Sequence, residues 1–220
     1  MKYAPDQILD ETLRNCPELN VCRDDIERCF NVLKSCFASG GKLMVCGNGG
    51  SASDSAHIAG ELMKGFRLPR GLPDEEAARF ASLPENGDYL AGKLQSALPC
   101  IALTDNAPLS TAIANDTAAD MAFAQQVYGY AADNDALIGI STSGGARNVI
   151  NALLTAKALG VVTVGLTGRE GGAVGRICDI AIKAPASETY RVQEYHLPIY
   201  HALCAMLEAA FFTYEQPFGP

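Results

Sequence analysis

At 220 residues, 48% of them hydrophobic and 19% charged, the chain is long enough for an ordinary buried core and too apolar to be disordered or collagen-like. With 17 Lys and Arg against 25 Asp and Glu, its net charge of −8 excludes a basic nucleic-acid groove as the main role, but not a small anionic ligand held by backbone amides. The polar N-terminal stretch lacks the apolar core of a secretory signal, and no run approaches the roughly 20 apolar residues that cross a bilayer, so the expectation is a cytoplasmic protein with no membrane partner.

The first forty residues read as helix. Apolar positions from Ile8 and Leu13 through Leu19, Ile26, Phe30 and Phe37 follow a helical stripe, Pro17 predicts a break, and Gly40-Gly41 ends the segment. Cys16, Cys22, Cys29 and Cys36 recur at the spacing of a buried helix stripe, and without a CxxC pair a thiolate zinc site is not expected.

A unit of strand, small-residue loop and helix then repeats. Residues 42–46 (KLMVC) are predicted as a buried strand, Gly47-Asn48-Gly49-Gly50-Ser51 as a loop, and 53–64 as a helix. Residues 67–98, with Pro69, Pro73, Pro84 and the acidic Asp74-Glu75-Glu76, predict an inserted helical excursion, either a lid or a surface decoration. Strands are expected over 100–103, 136–140 and 161–166. Ser141-Thr142-Ser143-Gly144-Gly145 follows the second of these and leads into a helix over 147–159. A strand over 180–183 precedes a long helix over 187–214, interrupted at Pro198. Strands alternating with helices mean βαβ units, a parallel sheet and helices on both of its faces.

Ligands of such a sheet bind beyond the carboxyl ends of its strands, where the unpaired N–H groups of a helix start suit a phosphate. Ser141, Thr142 and Ser143 are the better phosphate candidates, since ordinary capping needs one hydroxyl and here there are three in a row. The 47–51 loop is the second candidate; it is neither a Walker loop nor a GxGxxG fingerprint. His57 and Glu61, at i and i+4, share a helix face and can hold a divalent metal or form a solvated polar pair. The other two histidines, His196 and His201, lie on the C-terminal helix with Gln193 and Glu194, and spacing does not choose among these four. Gln193 and His201 are about 12 Å apart along a regular helix, so sharing one metal requires an irregular turn at Pro198 or ligands from different subunits.

In order along the chain, Cys-Gly-Asn-Gly-Gly-Ser (46–51), His57-Ile-Ala-Gly-Glu61, Ala-Asn-Asp (114–116), Gly-Ile-Ser-Thr-Ser-Gly (139–144), Leu-Thr-Gly (166–168) and Arg-Val-Gln-Glu-Tyr-His (191–196) with His201 resemble the sugar-isomerase (SIS) domain proteins, nearest the sedoheptulose 7-phosphate isomerase (phosphoheptose isomerase) branch. The resemblance covers nearly all of the chain outside 67–98. It implies an α/β fold: a three-layer, five-stranded parallel sheet, flavodoxin-like or Rossmann-like, with long N- and C-terminal helices, in a single domain over 1–220. It implies a homotetramer with active sites at subunit interfaces, and the apolar faces of the terminal helices suit an oligomer interface.

The same resemblance implies one zinc ion per site on His57, Glu61, Gln193 and His201, the substrate phosphate on Ser141, Thr142 and Ser143, and a sugar lined by Asn48, Gly49, Gly50, Ser51, Asn115, Asp116 and Gln193. Glu61 would be the base and His201 the acid/base of an aldose–ketose isomerisation through an enediol. Two other functions stand beside it: a non-catalytic tetrameric adaptor, a role that relatives without the metal residues fill by binding a replication initiator, and a protein that binds a sugar phosphate or performs other chemistry on it. This chain departs from the family pattern at Gly145-Ala146, where Asn-Ser is usual. It also lacks the basic residue usual four places after Glu61, with Lys64 and Arg67 nearby, and has Tyr190 where Asp often precedes Arg191.

Overall fold

The computed structural model of the chain describes residues 4–212. Helix α1 (Pro5–Asn15) starts on Pro5 with the Gln7 side chain accepting the Ala4 N–H at 3.1 Å. It breaks at Pro17, whose missing N–H opens a 3-10 turn over Pro17–Cys22, and the chain re-enters helix as α2 (Arg23–Ala38). Cys22, Cys29 and Cys36 are buried along this segment and Cys16 is partly so. All eight cysteines are free thiols, and burial pushes Cys29 and Cys46 up to about 12, so they pack as small apolar groups.

Strand β1 (Leu43–Cys46) leads directly into α3 (Gly50–Met63), which starts three residues earlier than its periodicity predicts. The glycines there read as loop, but they make a tight strand-to-helix turn: Gly49 has φ 57°, and a Cβ on Gly47 would lie 2.7 Å from the Ser51 backbone. The excursion after α3 is two short helices, α4 (Asp74–Ala81) and α5 (Gly87–Lys93), packed on each other and pinned at the base by a bridge between Gly71 and Gln95.

Strand β2 (Cys100–Ala102) precedes α6 (Ala107–Asp116), a 3-10 turn over Ala119–Met121 and α7 (Ala122–Tyr130), a stretch whose alanine-rich sequence shows no clear period. Then come β3 (Ala136–Ser141), α8 (Arg147–Ala158), β4 (Val162–Thr167), α9 (Val174–Ile177), β5 (Ile180–Lys183) and α10 (Thr189–Phe211). The predicted interruption at Pro198 does not occur. Proline removes one hydrogen bond, and the flanking turns, with Ile199, Tyr200 and Leu203 buried, hold the helix through it. The expected helix end near 214 lies outside the described residues.

The five strands are parallel in the order β2-β1-β3-β4-β5. Leu43 and Val45 face a core shared with α1, α2, α3 and α10, while Met44 and Cys46 face a second core with α7 and α8. Three layers follow from that alternation. Among the described residues no helix is long and apolar enough to cross a membrane.

Two buried polar contacts fix α10. The fully buried His196 has its Nε2 3.2 Å from the Thr167 carbonyl at the end of β4. Near the other end, the Glu208 carboxylate accepts the backbone N–H groups of Phe66, Arg67 and Leu68 at 2.7 to 3.0 Å and the Arg70 Nε at 2.8 Å. Arg70 in turn donates to the carbonyls of Leu62 (2.8 Å) and Glu61 (3.1 Å) at the end of α3. Its side chain is 0% exposed and that of Glu208 1%, so every charge in this knot is answered inside the protein.

Glu208→Ala leaves a buried guanidinium and three N–H groups without their acceptor, and is expected to lower the unfolding free energy by about 3–5 kcal/mol, read from urea denaturation. Burial pulls His196 down to about 4 from 6.5. The fold therefore keeps it neutral while the unfolded chain takes up a proton, and this stability is full above pH 6.5 and lost as pH falls toward 4. His196→Gln, whose amide can still donate to Thr167, is expected to remove on the order of 3 kcal/mol of that acid-induced loss, measured by the same titration across the window.

Candidate active site

In the order 2-1-3-4-5 the chain leaves β1 toward one edge and returns on its other side at β3, so the switch point lies between these two strands. The two loops singled out in the sequence are the ones that follow β1 and β3. Beside the first loop, toward β2 and α6, opens a cavity of about 380 Å³ whose polar lining includes Asn48, Thr104, Ser110, Thr111 and, from α8, Asn148. The carboxamides of Asn48 and Asn148 pair reciprocally across it, at 2.9 and 2.8 Å. Asn148, Thr104, Ser110 and Thr111 carried no sequence signal of their own; only the pairing of β1 with both neighbours brings them to one mouth.

The loop after β3 is tightly braced. Gly144 has φ 65°, and a Cβ there would lie 2.0 Å from the Gly171 carbonyl oxygen. The Gly168 N–H donates to the Thr142 carbonyl at 2.9 Å and the Val174 N–H to that of Gly144 at 3.0 Å. The Ser143 hydroxyl accepts the Gly145 N–H at 3.2 Å, and the buried Ser141 hydroxyl lies 3.4 Å from the Ala146 N–H, which leaves Thr142, half-buried, without a side-chain role inside the loop. Ser51 is buried in the first turn of α3, behind the exposed Asn48, Gly49 and Gly50. Asn115 and Asp116, at the exposed end of α6, bond to each other at 2.8 Å, while their neighbour Ala114 lines the cavity.

The second group lies two turns along α3. His57 Nε2 is 3.2 Å from Glu61 Oε1 and 3.5 Å from His201 Nε2, which reaches across from α10. Burial, reinforced by the neighbouring His57, lowers His201 below its ordinary range, so it is a neutral imidazole at physiological pH. Of the two basic residues near Glu61, Lys64 donates to Glu61 Oε2 at 3.4 Å, and Arg67 borders a cavity of about 180 Å³ with Phe66 and His201. Gln193 is not brought to this cluster. Helix α10 is continuous, which puts Gln193 two turns from His201, and its carboxamide packs on Gly50, 2.4 Å from where a Cβ would sit.

Two imidazoles and a carboxylate are a suitable donor set for zinc, and both separations lie close to the edge of about 3.3 Å of a tetrahedron with bonds of about 2.0–2.1 Å. The donors fit in kind, and His57 lies at a fitting distance from each of the other two. They do not complete a cage within one chain: among the described residues no three His, Cys, Asp or Glu side chains are grouped to hold a metal.

Residues 89–168 match the SIS domain family. The chain is 41% identical over 170 residues to the phosphoheptose isomerase of Nitratiruptor sp., which spans 77% of this chain and 78% of that protein. The chain belongs to the phosphoheptose isomerase family. It superposes on the phosphoheptose isomerases of Neisseria gonorrhoeae (TM-score 0.71, 29% identity, 91% of this chain and 94% of that one) and Francisella tularensis (0.72, 28%, 90% and 93%). As a family member it is a sugar-phosphate isomerase with the SIS fold, and the braced loop after β3 is its anion-binding candidate.

Gly144→Ala forces a side chain into the left-handed region and against Gly171, a strain of about 1–3 kcal/mol. It is expected to weaken binding of a ketose phosphate by about tenfold or more in calorimetric titration.

Proposed function

We propose that this isomerase interconverts sedoheptulose 7-phosphate and glycero-manno-heptose 7-phosphate through an enediol, with Glu61 as the base and His201 as the acid/base. The observation that carries the reading is the approach of Glu61 and His201 to His57, in a group two turns from the glycine loop. Seven residues of α3 rise about 10 Å, comparable to an extended seven-carbon chain, so a phosphate near the switch point leaves the first carbons near the carboxylate. The names of the relatives supply the choice of a heptose.

Each residue has a task suited to its chemistry. The Glu61 carboxylate takes the proton from the carbon beside the carbonyl and returns it to the neighbouring one. His201, neutral, donates to and accepts from the two oxygens as the double bond moves between them. Ser141, Thr142 and Ser143, with the loop amides, hold the phosphate, and that remote binding positions the reacting end. Asn48, Gly49, Gly50, Ser51, Asn115 and Asp116 serve the sugar.

His57, Glu61 and His201 would hold a zinc ion, and Gln193 would be the fourth ligand from a second copy of the chain, which makes the homotetramer part of the same proposal. When bound, the ion supplies polarisation of the carbonyl and orientation of the hydroxyls. A cytoplasmic location belongs to this reading as well.

Elemental analysis of the purified protein is expected to return near-stoichiometric zinc, depleted in Glu61→Gln and His201→Ala. Removal of the metal by chelation should abolish turnover, and resupply should restore it. Glu61→Gln should retain the fold and oligomer while losing about 100-fold or more of turnover on sedoheptulose 7-phosphate. Full activity of Glu61→Gln would remove Glu61 from the base role, and no metal under any loading condition would remove the metal site.

A further inference from the structure

The reciprocal pair of carboxamides joins the loop beyond β1 to the helix that follows the loop beyond β3, and the reaction as proposed gives Asn148 no task. Asn148 is the second residue of α8, the helix into which the braced loop leads. Its place is set from behind: Val149 is buried beside it, and Asn151, one turn on, donates its carboxamide to the Asp120 carbonyl at 3.0 Å. Asn48 sits opposite, in a turn closed by its own carbonyl, which accepts the Ser51 N–H at 3.0 Å. Its side chain is exposed and is held by Asn148.

The contacts orient both amides. Asn148 Oδ1 accepts the Val149 N–H at 3.0 Å, which fixes the oxygen end of its carboxamide, because a flipped amide would set an NH₂ group against that N–H. Asn48 must then present Nδ2 to Asn148 Oδ1, at 2.9 Å, and Oδ1 to Asn148 Nδ2, at 2.8 Å. A carboxamide carries two N–H groups and two lone pairs on its oxygen. Asn148 Oδ1 has both of its lone pairs engaged, whereas Asn48 keeps one N–H and one lone pair outside the pair, at the wall of the cavity. Such a group donates to one sugar hydroxyl and accepts from another. Without its partner, a short exposed side chain spreads over its rotamers and over both senses of its amide, and a ligand must order it on binding.

We propose that Asn148 is a positioning residue: it holds the Asn48 carboxamide in the one orientation that reads the sugar, and so ties sugar recognition beyond β1 to the helix that carries the phosphate loop. The proposal rests on the reading in which Asn48 serves the sugar and the loop after β3 the phosphate, and deepens it by naming the group that orients Asn48. A pair this exposed contributes little to the fold, so its loss is felt in binding rather than in stability.

Calorimetric titration of four proteins tests it, all carrying Glu61→Gln so that the substrate is not consumed: the parent, Asn48→Ala, Asn148→Ala and the double variant, each with sedoheptulose 7-phosphate and with inorganic phosphate. Asn48→Ala is expected to weaken the sugar phosphate about tenfold or more, and Asn148→Ala about 3–10-fold. The double variant should bind no more weakly than Asn48→Ala alone, because Asn148 acts through Asn48. Inorganic phosphate, which has no sugar to be read, should bind the parent and Asn148→Ala alike, whereas a distorted phosphate loop would weaken both ligands. Sugar-phosphate affinity unchanged in Asn148→Ala, losses that add in the double variant, or an equal loss of inorganic phosphate in Asn148→Ala overturns the proposal and leaves Asn48 at the sugar. Unchanged affinity in Asn48→Ala removes Asn48 from the sugar, and the proposal with it.

Discussion

The buried pair of Arg70 and Glu208 is the constraint on which the rest of the site depends. A carboxylate inside a protein is costly unless its lone pairs are answered, and here three backbone N–H groups and a guanidinium answer them. Because those donors belong to residues 66–70, the chain leaving α3 is held against α10. Because Arg70 also donates to the carbonyls of Glu61 and Leu62, the last turn of α3 is capped by the same group. Glu61 and His201 stand on the two helices that this knot ties together. The knot thus helps hold together the two helices that bring Glu61 and His201 to His57.

The second constraint is topological. Parallel strands in the order 2-1-3-4-5 leave a crevice between β1 and β3, and both small-residue loops of the chain open onto it. Glycine serves different ends in the two. After β1 it permits the strand to turn into α3 almost without a loop; after β3 it lets the 141–146 segment press against Gly171 and Gly172, which gives that segment its rigidity. On the proposed reading, the braced loop would take the phosphate of a substrate and the group two turns along α3 its carbonyl end.

Much of this was legible in the sequence because the signals are local. Buried strands, glycine turns, the Pro17 break and the i, i+4 pair of His57 and Glu61 depend on near neighbours, and the family resemblance rests on short ordered motifs. Features that depend on pairing in space were not legible. Asn148 gains meaning only when β3 lies beside β1 and brings it against Asn48. Tyr200 and Asp54 carry no signal of their own until α3 and α10 bring them together. Pro198 misled because its penalty is one hydrogen bond, smaller than the burial of the residues beside it. The continuity of α10 leaves only one of the two routes by which Gln193 and His201 were expected to share a metal: ligands drawn from two copies of the chain.

The central claim is that Glu61 and His201 move a proton between adjacent carbons of a sugar phosphate. Incubating the metal-loaded wild-type protein with sedoheptulose 7-phosphate in deuterated water, and reading the product by NMR, tests it most directly. Proton transfer through an enediol predicts an aldose 7-phosphate carrying solvent deuterium at C2. No aldose product, or an aldose formed just as fast by Glu61→Gln, would contradict the account.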